Sequence, residues 1–294
     1  MKILLLGANG QLGQAFQALM KTDAFPIAWE VIAWDREQCD MSHPETLREH
    51  IRTLKPNAII NAAAYTQVDL AETDVALCEK INTESPAALA KYARENHIPL
   101  IHFSTDYVYD GNTKEVHVES ERLHPTNQYG RAKALGDEAI LISGCDHLIF
   151  RTSWVFSFVG KNFVKTMKRL SETKSELKVV NDQVGSPTYA PDLAELALDC
   201  FMQALERREE GEKFPSGVYH LTNSGFTTWS EFAQMILPKV KIIGIPTTEY
   251  PTPAARPLNS KLSLEKLKTT FHLEPRSWKL ALADCLKKLG EAHE

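Results

Sequence analysis

Tyr129 and Lys133 stand four residues apart in the run YGRAK, 129–133. On a helix, positions i and i+4 share one face, with Cβ atoms roughly 5–6 Å apart. A free phenol has a pKa of about 10. A neighbouring ammonium favours phenolate and lowers that value, which would make Tyr129 a proton donor near neutral pH. Lys133 would also hold a nicotinamide ribose. Because the pair is common by chance, its chemistry depends on a cofactor, an electrophile site and a substrate pocket elsewhere in the chain. FSTDYVY, 103–109, supplies candidates for the electrophile site. Ser104 and Thr105 follow an apolar run, and a hydroxyl there can donate to a carbonyl oxygen that gains charge during hydride attack. Such a pair also serves as a simple capping turn.

GANGQLG, 7–13, follows the first apolar run and opens a helical pattern. Glycine at Gly7 and Gly10 lets the chain turn tightly and approach a pyrophosphate. The helix start at Gln11 and Leu12 offers free N–H groups and a positive dipole to it. Asp35 ends the second run about 20 residues beyond the glycines, where an acid accepts from an adenosine ribose 2′-hydroxyl. Arg36 suits a 2′-phosphate instead, so NADH and NADPH both stay open. Asp40 and Met41 would hold the adenine by one polar and one apolar contact, although Asp40 is equally suited to capping a helix. In NAAAYT, 61–66, the small Ala63 and Ala64, with Tyr65 and Thr66, would let the backbone approach the dinucleotide. Close helix–sheet packing is the alternative there.

The elements that must position these residues alternate. Strand-like runs at 2–7, 29–34, 58–63, 100–104 and 147–151 are almost continuously apolar, as expected of strands covered on both faces. Helical patterns near 11–21, 44–54, 75–96 and 127–143 separate them, with Pro44 and Pro86 suited to helix starts. This order predicts an α/β fold, a Rossmann-type doubly wound parallel sheet. Residues 1–152 would form the dinucleotide-binding domain. Residues 153–294 would form mainly a smaller, partly interleaved C-terminal substrate lobe, with some elements returning to the sheet. There 177–180 and 218–221 read as strands and 191–205 as an amphipathic helix. A final helix places Trp278, Leu282, Cys285 and Leu289 on one face.

The bulk numbers narrow the function classes. Of 294 residues, 43% are hydrophobic and 24% charged, which is ordinary globular composition. A net charge of -5 with no basic stripe argues against nucleic acid. Five scattered cysteines without CxxC spacing read as reduced thiols of a cytoplasmic protein. Ten histidines without HExxH indicate no metal. No apolar run approaches the roughly 20 residues of a membrane helix, and the opening run is too short for a signal peptide.

GxxGxxG, Thr105 and Tyr129-x-x-x-Lys133 together resemble the extended short-chain dehydrogenase/reductases that act on nucleotide sugars. STDYVYDG (104–111), RTSWVFSFVGKNFVKTMKRL (151–170), VVNDQVGSPT (179–188) and TTEYPTPAARPLNS (247–260) narrow the resemblance to the dTDP-4-dehydrorhamnose reductase family, over residues 1 to about 290. The resemblance implies reduction of dTDP-4-dehydrorhamnose by NADH or NADPH. Tyr129 would protonate the alkoxide, Thr105 would stabilise the oxyanion, and Lys133 would orient the cofactor. Asp106 maps to a substrate contact and Trp154 to a residue packing on the sugar, although a core tryptophan is the alternative. The helix opening near Asn162 would face the diphosphate. Arg256 would supply a cation to it, or else serve at the surface or an interface. A homodimer is also implied. Some members place a glutamate of an interface magnesium site where this chain has Ala15, which argues against a magnesium bridge.

Rival readings are a nucleotide-sugar dehydratase, an epimerase and a non-catalytic regulatory homologue. Elimination commonly uses an Asp-Glu pair after the threonine, whereas this chain reads Thr105-Asp106-Tyr107. No motif favours the epimerase, and the intact Thr105, Tyr129 and Lys133 argue against the regulatory reading.

Overall fold

The structure, a computed structural model, describes residues 1–23 and 25–291. The first half runs β1 (Lys2–Leu6), α1 (Gln11–Leu19), β2 (Glu30–Trp34), α2 (Pro44–Leu54), β3 (Ala58–Asn61), α3 (Val75–Glu79), α4 (Ser85–Asn96), β4 (Leu100–Thr105), α5 (Gln128–Ser143) and β5 (His147–Thr152). The second half runs β6 (Val155–Phe156), α6 (Phe163–Ser171), β7 (Glu176–Val180), β8 (Val184–Gly185), β9 (Thr188–Tyr189), α7 (Ala190–Glu209) and β10 (Gly217–His220). It ends with β11 (Thr227–Thr228), α8 (Trp229–Ile236), β12 (Lys241–Ile245), β13 (Asn259–Ser260), α9 (Glu265–Phe271) and α10 (Trp278–Glu291).

Six strands form one parallel sheet in the order β10-β5-β4-β3-β1-β2. Its two faces are read directly from β1, whose successive side chains point to opposite sides. Ile3 and Leu5 join Phe16, Phe103, Phe150 and Leu193 in one core cluster. Leu4 and Leu6 join Leu47, Leu89 and Ile149 in the other. The continuous apolar runs are therefore strands covered on both sides. The strand order reverses direction between β1 and β3, and ligands of such sheets bind at the strands' carboxyl ends beside that switch point. Strand β10 pairs with β5, and α7 packs against α1, so both belong to the sheet's layers despite lying late in the chain.

The region 75–96 is interrupted. Between α3 and α4 lies a π-helical turn, Lys80–Glu84, and α4 then opens with Ser85 and Pro86, the latter with no N–H to donate. The turn brings Asn82 to the loop after β3, where its side chain accepts from Tyr65 N–H at 2.9 Å and donates to Tyr65 O at 3.0 Å. Around the smaller sheet of β7 and β12, a third cluster holds Phe156, Val164, Leu177 and Phe232 against Trp278, Leu282, Cys285 and Leu289 of α10. All five cysteines are free and buried.

Candidate active site

At the carboxyl ends of β1 and β3, the chain is shaped for close approach. Gly7 has φ +82°, and a Cβ there would stand 2.7 Å from the backbone nitrogen of Ala63. A Cβ on Gly13 would stand 2.2 Å from the carbonyl oxygen of Gly7. Gly10 precedes the first turn of α1 and makes no side-chain cap, which leaves the first N–H groups of α1 without a side-chain partner there, and Gly10, Gln11 and Leu12 line the cleft. A cleft of about 720 Å³ runs from Asp35, Arg36, Asp40 and Met41 at one end, past Gly7, Gly10, Gln11 and Leu12. It continues past Ala63, Ala64, Tyr65 and Thr66 to Tyr129 and Lys133 at the other end. One cavity thus gathers every residue expected to meet the dinucleotide. Asn9, Lys161 and Leu193 also line it. Of these, only Asn9, inside the glycine run, carried a local signal in the sequence.

At the end of the cleft after β2, Asp35 Oδ2 accepts from Asn9 Nδ2 at 2.7 Å, and Oδ1 accepts from Glu37 N–H at 2.9 Å. Arg36 is exposed and pairs with Asp40 at 3.3 Å. Asp40 does not cap α2, because its Oδ1 accepts from Ser42 N–H at 2.9 Å and the helix begins after His43. Burial pulls the Asp40 carboxyl up, but its bonds to Ser42 and Arg36 outweigh this and hold it below the ordinary range.

At the other end, Asn127 caps α5 by accepting from Gly130 N–H at 2.8 Å, which sets Tyr129 and Lys133 on the face turned to β4. Lys133 is 1% exposed, and its Nζ donates to Phe103 O at 2.6 Å and lies 3.1 Å from His102 Nε2. Burial pulls its amine down to about 8, against the opposing pull of Asp137 and Cys78. Burial also pushes the Tyr129 phenol up, and the Thr105 hydroxyl compensates only in part. This corrects the expectation that Lys133 acidifies Tyr129: the amine is directed at Phe103 and His102, and desolvation dominates the phenol.

Thr105 is 6% exposed; its hydroxyl donates to Asp106 Oδ1 at 3.1 Å and accepts from Tyr107 N–H at 3.2 Å, so it also caps the turn after β4. Ser104 Oγ and Thr152 Oγ1 are buried without hydrogen-bond partners, and both residues line the cleft. Together with the glycine cradle, these orphaned hydroxyls fit a polar dinucleotide occupant. The Tyr107 ring meets Tyr129 edge to face at 5.6 Å, and the Arg256 guanidinium lies 6.0 Å from the Tyr107 ring centre. Arg256 Nη2 pairs with Asp69 at 2.8 Å.

Trp154 lies outside the lining of this cleft. Its backbone takes φ +49°, and its indole stacks on Trp229 at 3.7 Å, so one face is already covered. Asn162 caps α6 by accepting from Lys165 N–H, and its Nδ2 donates to Gln11 Oε1 at 2.9 Å, joining α6 to α1. A second cavity of about 530 Å³ shares Gly160 and Lys161 with the first and is lined by Lys165, Lys168 and Arg169. Among the described residues, no group of three or more His, Cys, Asp or Glu is placed to hold a metal, and no helix is long and apolar enough to cross a membrane.

A parallel doubly wound sheet, a glycine cradle at its switch point and a Tyr-Lys pair at the cleft's far end define a Rossmann-type reductase. The profile of the family described as RmlD substrate binding domain matches residues 1–291. The dTDP-4-dehydrorhamnose reductase of Burkholderia thailandensis is 40% identical over 98% of this chain and 99% of its own. A solved dTDP-4-dehydrorhamnose reductase from Clostridium acetobutylicum superposes with TM-score 0.89 at 36% identity, covering 99% of this chain and 100% of its own. That of Bacillus anthracis, solved in complex with NADP, gives 0.86 at 31% identity over 98% and 99%. The chain belongs to the RmlD substrate-binding-domain family, that of the dTDP-4-dehydrorhamnose reductases.

Proposed function

We infer that this chain reduces the C4 keto group of dTDP-4-dehydro-β-L-rhamnose to give dTDP-L-rhamnose, using NADH or NADPH. The observation that carries the reading is the meeting of Tyr129 and Lys133 at the end of the cleft, with Thr105 hydrogen-bonded to Tyr129, within a chain of this family. The bound reduced dinucleotide supplies the hydride. Tyr129 donates its proton to the oxygen that becomes the C4 hydroxyl. Its raised proton affinity keeps the phenol protonated until an alkoxide, a far stronger base, develops beside it. The Thr105 hydroxyl, turned from Asp106 toward the same oxygen, stabilises its developing charge. Lys133, held by Phe103 O, grips the nicotinamide ribose.

In the same reading, residues 1–152 with α7 and β10 hold the dinucleotide, and most of 153–294 holds the sugar nucleotide. The lysine-lined cavity beside Asn162 suits a diphosphate. Arg256 and Trp154 would meet the substrate with Asp106. The thymidine part rests on family membership. A homodimer without a magnesium bridge at Ala15 and a cytoplasmic location with reduced thiols belong to this reading; light scattering measures the first. The test is incubation with enzymatically made dTDP-4-dehydrorhamnose and each reduced cofactor. Loss of reduced-nicotinamide absorbance with formation of dTDP-rhamnose is expected. Conversion of dTDP-glucose to a 4-keto-6-deoxy sugar with added NAD would instead establish a dehydratase.

A further inference from the structure

Beneath Lys133 lies a buried polar line that the reductase reading does not use. Asn61 and His102 are register partners on the adjacent strands β3 and β4, and both are almost wholly buried, at 1% and 0% exposure. Asn61 Nδ2 lies 3.1 Å from His102 Nδ1, and His102 Nε2 lies 3.1 Å from Lys133 Nζ. Histidine and asparagine in the middle of a two-sided apolar sheet are costly unless each polar atom has a partner.

The directions of these bonds are set from one end. Ala63 N–H donates to Asn61 Oδ1 at 3.2 Å, which turns the Asn61 amide nitrogen toward His102. His102 Nδ1 must then accept, so the hydrogen of the neutral ring sits on Nε2. That N–H points at Lys133 Nζ, where only a neutral amine has a lone pair to receive it. The opposite tautomer would suit an ammonium, but it requires the Asn61 amide to invert and face the Ala63 N–H donor to donor.

We propose that His102 is a positioning residue for Lys133: oriented by Asn61, it holds the amine against Phe103 O and donates to it, stabilising its neutral form until cofactor groups engage it. The proposal rests on the reductase reading for the role of Lys133, not for the tautomer. The other titratable groups around Lys133 are Asp137 and Tyr129 on α5 and Cys78 on α3. Asp137 is paired with Arg151 at 3.0 Å, and burial pushes the Cys78 thiol up to about 11. Among these neighbours His102 alone places a ring N–H on Nζ. Burial, and then the Lys133 charge, hold His102 well below the ordinary histidine range, which favours the neutral ring.

The test has two arms. Nitrogen-15 NMR of histidine-labelled protein without substrate reads the tautomer, independently of any activity. A His102 signal protonated at Nε2 is expected, and protonation at Nδ1 overturns the proposal even if the reductase reading stands. The second arm is the pH profile of kcat/KM for the reduced cofactor, which reports groups of the free enzyme, in wild type, His102→Leu and His102→Gln. Losing the N–H donor in His102→Leu should raise the alkaline limb by roughly 0.5–1 pH unit, the worth of one hydrogen bond. In His102→Gln, an amide N–H can take the donor's place, so the limb should stay near wild type; this variant also keeps the test open if the leucine variant does not fold. A limb that stays put in His102→Leu, or moves down, overturns the proposal, as does a His102→Gln limb displaced upward as far as that of the leucine variant. Wild type that oxidises no reduced cofactor with the keto sugar would count against the reductase reading, while the NMR arm would still decide the tautomer.

Discussion

The hydroxyl of Thr105 donates to Asp106 Oδ1 at 3.1 Å, inside a pocket where both residues are over nine-tenths buried. Burial pushes the Asp106 carboxyl up to about 6, although hydrogen bonds from Ser260 and Thr105 pull the other way. The folded value thus exceeds the unfolded one, which is about 3.9. Stability from this group is complete below the unfolded value and is lost as pH rises through about 6. Asp106→Asn should therefore raise the melting temperature relative to wild type at pH 7.5 by a few degrees, on the order of 2–4 °C per kcal/mol in a chain of this size. The gain should shrink toward zero near pH 4. Thermal unfolding of both proteins across this range measures it, and a pH-independent difference would show that Asp106 is not the titrating group.

Gly13 gives a steric prediction. Its α-carbon faces Gly7 O so closely that a methyl group would overlap it at 2.2 Å. Backbone cannot yield as a flexible side chain can, so Gly13→Ala should cost roughly 1–3 kcal/mol of stability and weaken dinucleotide binding at least tenfold. Denaturant unfolding and fluorescence titration with reduced cofactor check the two effects. Wild-type values in both would mean that the Gly7–Gly13 approach is not needed for the cradle.

Cofactor choice follows from two side chains at the end of β2. Asp35 accepts from Asn9, and exposed Arg36 pairs with Asp40; we propose that Asp35 reads a ribose 2′-hydroxyl and Arg36 a 2′-phosphate. Solvent screening keeps both effects small. Wild type should use NADH and NADPH with a preference below roughly 30-fold, about 2 kcal/mol. Asp35→Ala should shift the ratio toward NADPH and Arg36→Ala toward NADH. Initial rates at varied cofactor concentration give the ratios, and unchanged ratios in both variants would mean that neither residue reads the ribose.

That the residues expected at the dinucleotide line one cleft was legible because their geometry is local. A strand, a glycine turn and a helix start lie within 2–19, and Tyr129 and Lys133 sit on one turn of one helix, so spacing alone places them. What was not legible depends on contacts between distant residues. His102 and Asn61 sit inside apolar strand runs, with no motif to mark them. The stacking of Trp154 on Trp229 and the pairing of Arg256 with Asp69 join residues far apart in the chain. The π-helical turn that brings Asn82 to Tyr65 left no periodicity break in 75–96. The acidity of Tyr129 was misjudged for the same reason: spacing shows a neighbouring lysine, but burial and the direction of its amine are properties of the folded chain.

The central claim is that Tyr129 supplies the proton to the reduced carbonyl. It is tested most directly by Tyr129→Phe, which removes one oxygen and leaves the ring against Tyr107. Turnover with dTDP-4-dehydrorhamnose should fall roughly 10²–10⁴-fold, the usual worth of general acid catalysis. The dissociation constant for reduced cofactor, measured by fluorescence titration, should change little. Turnover near that of wild type would contradict the account.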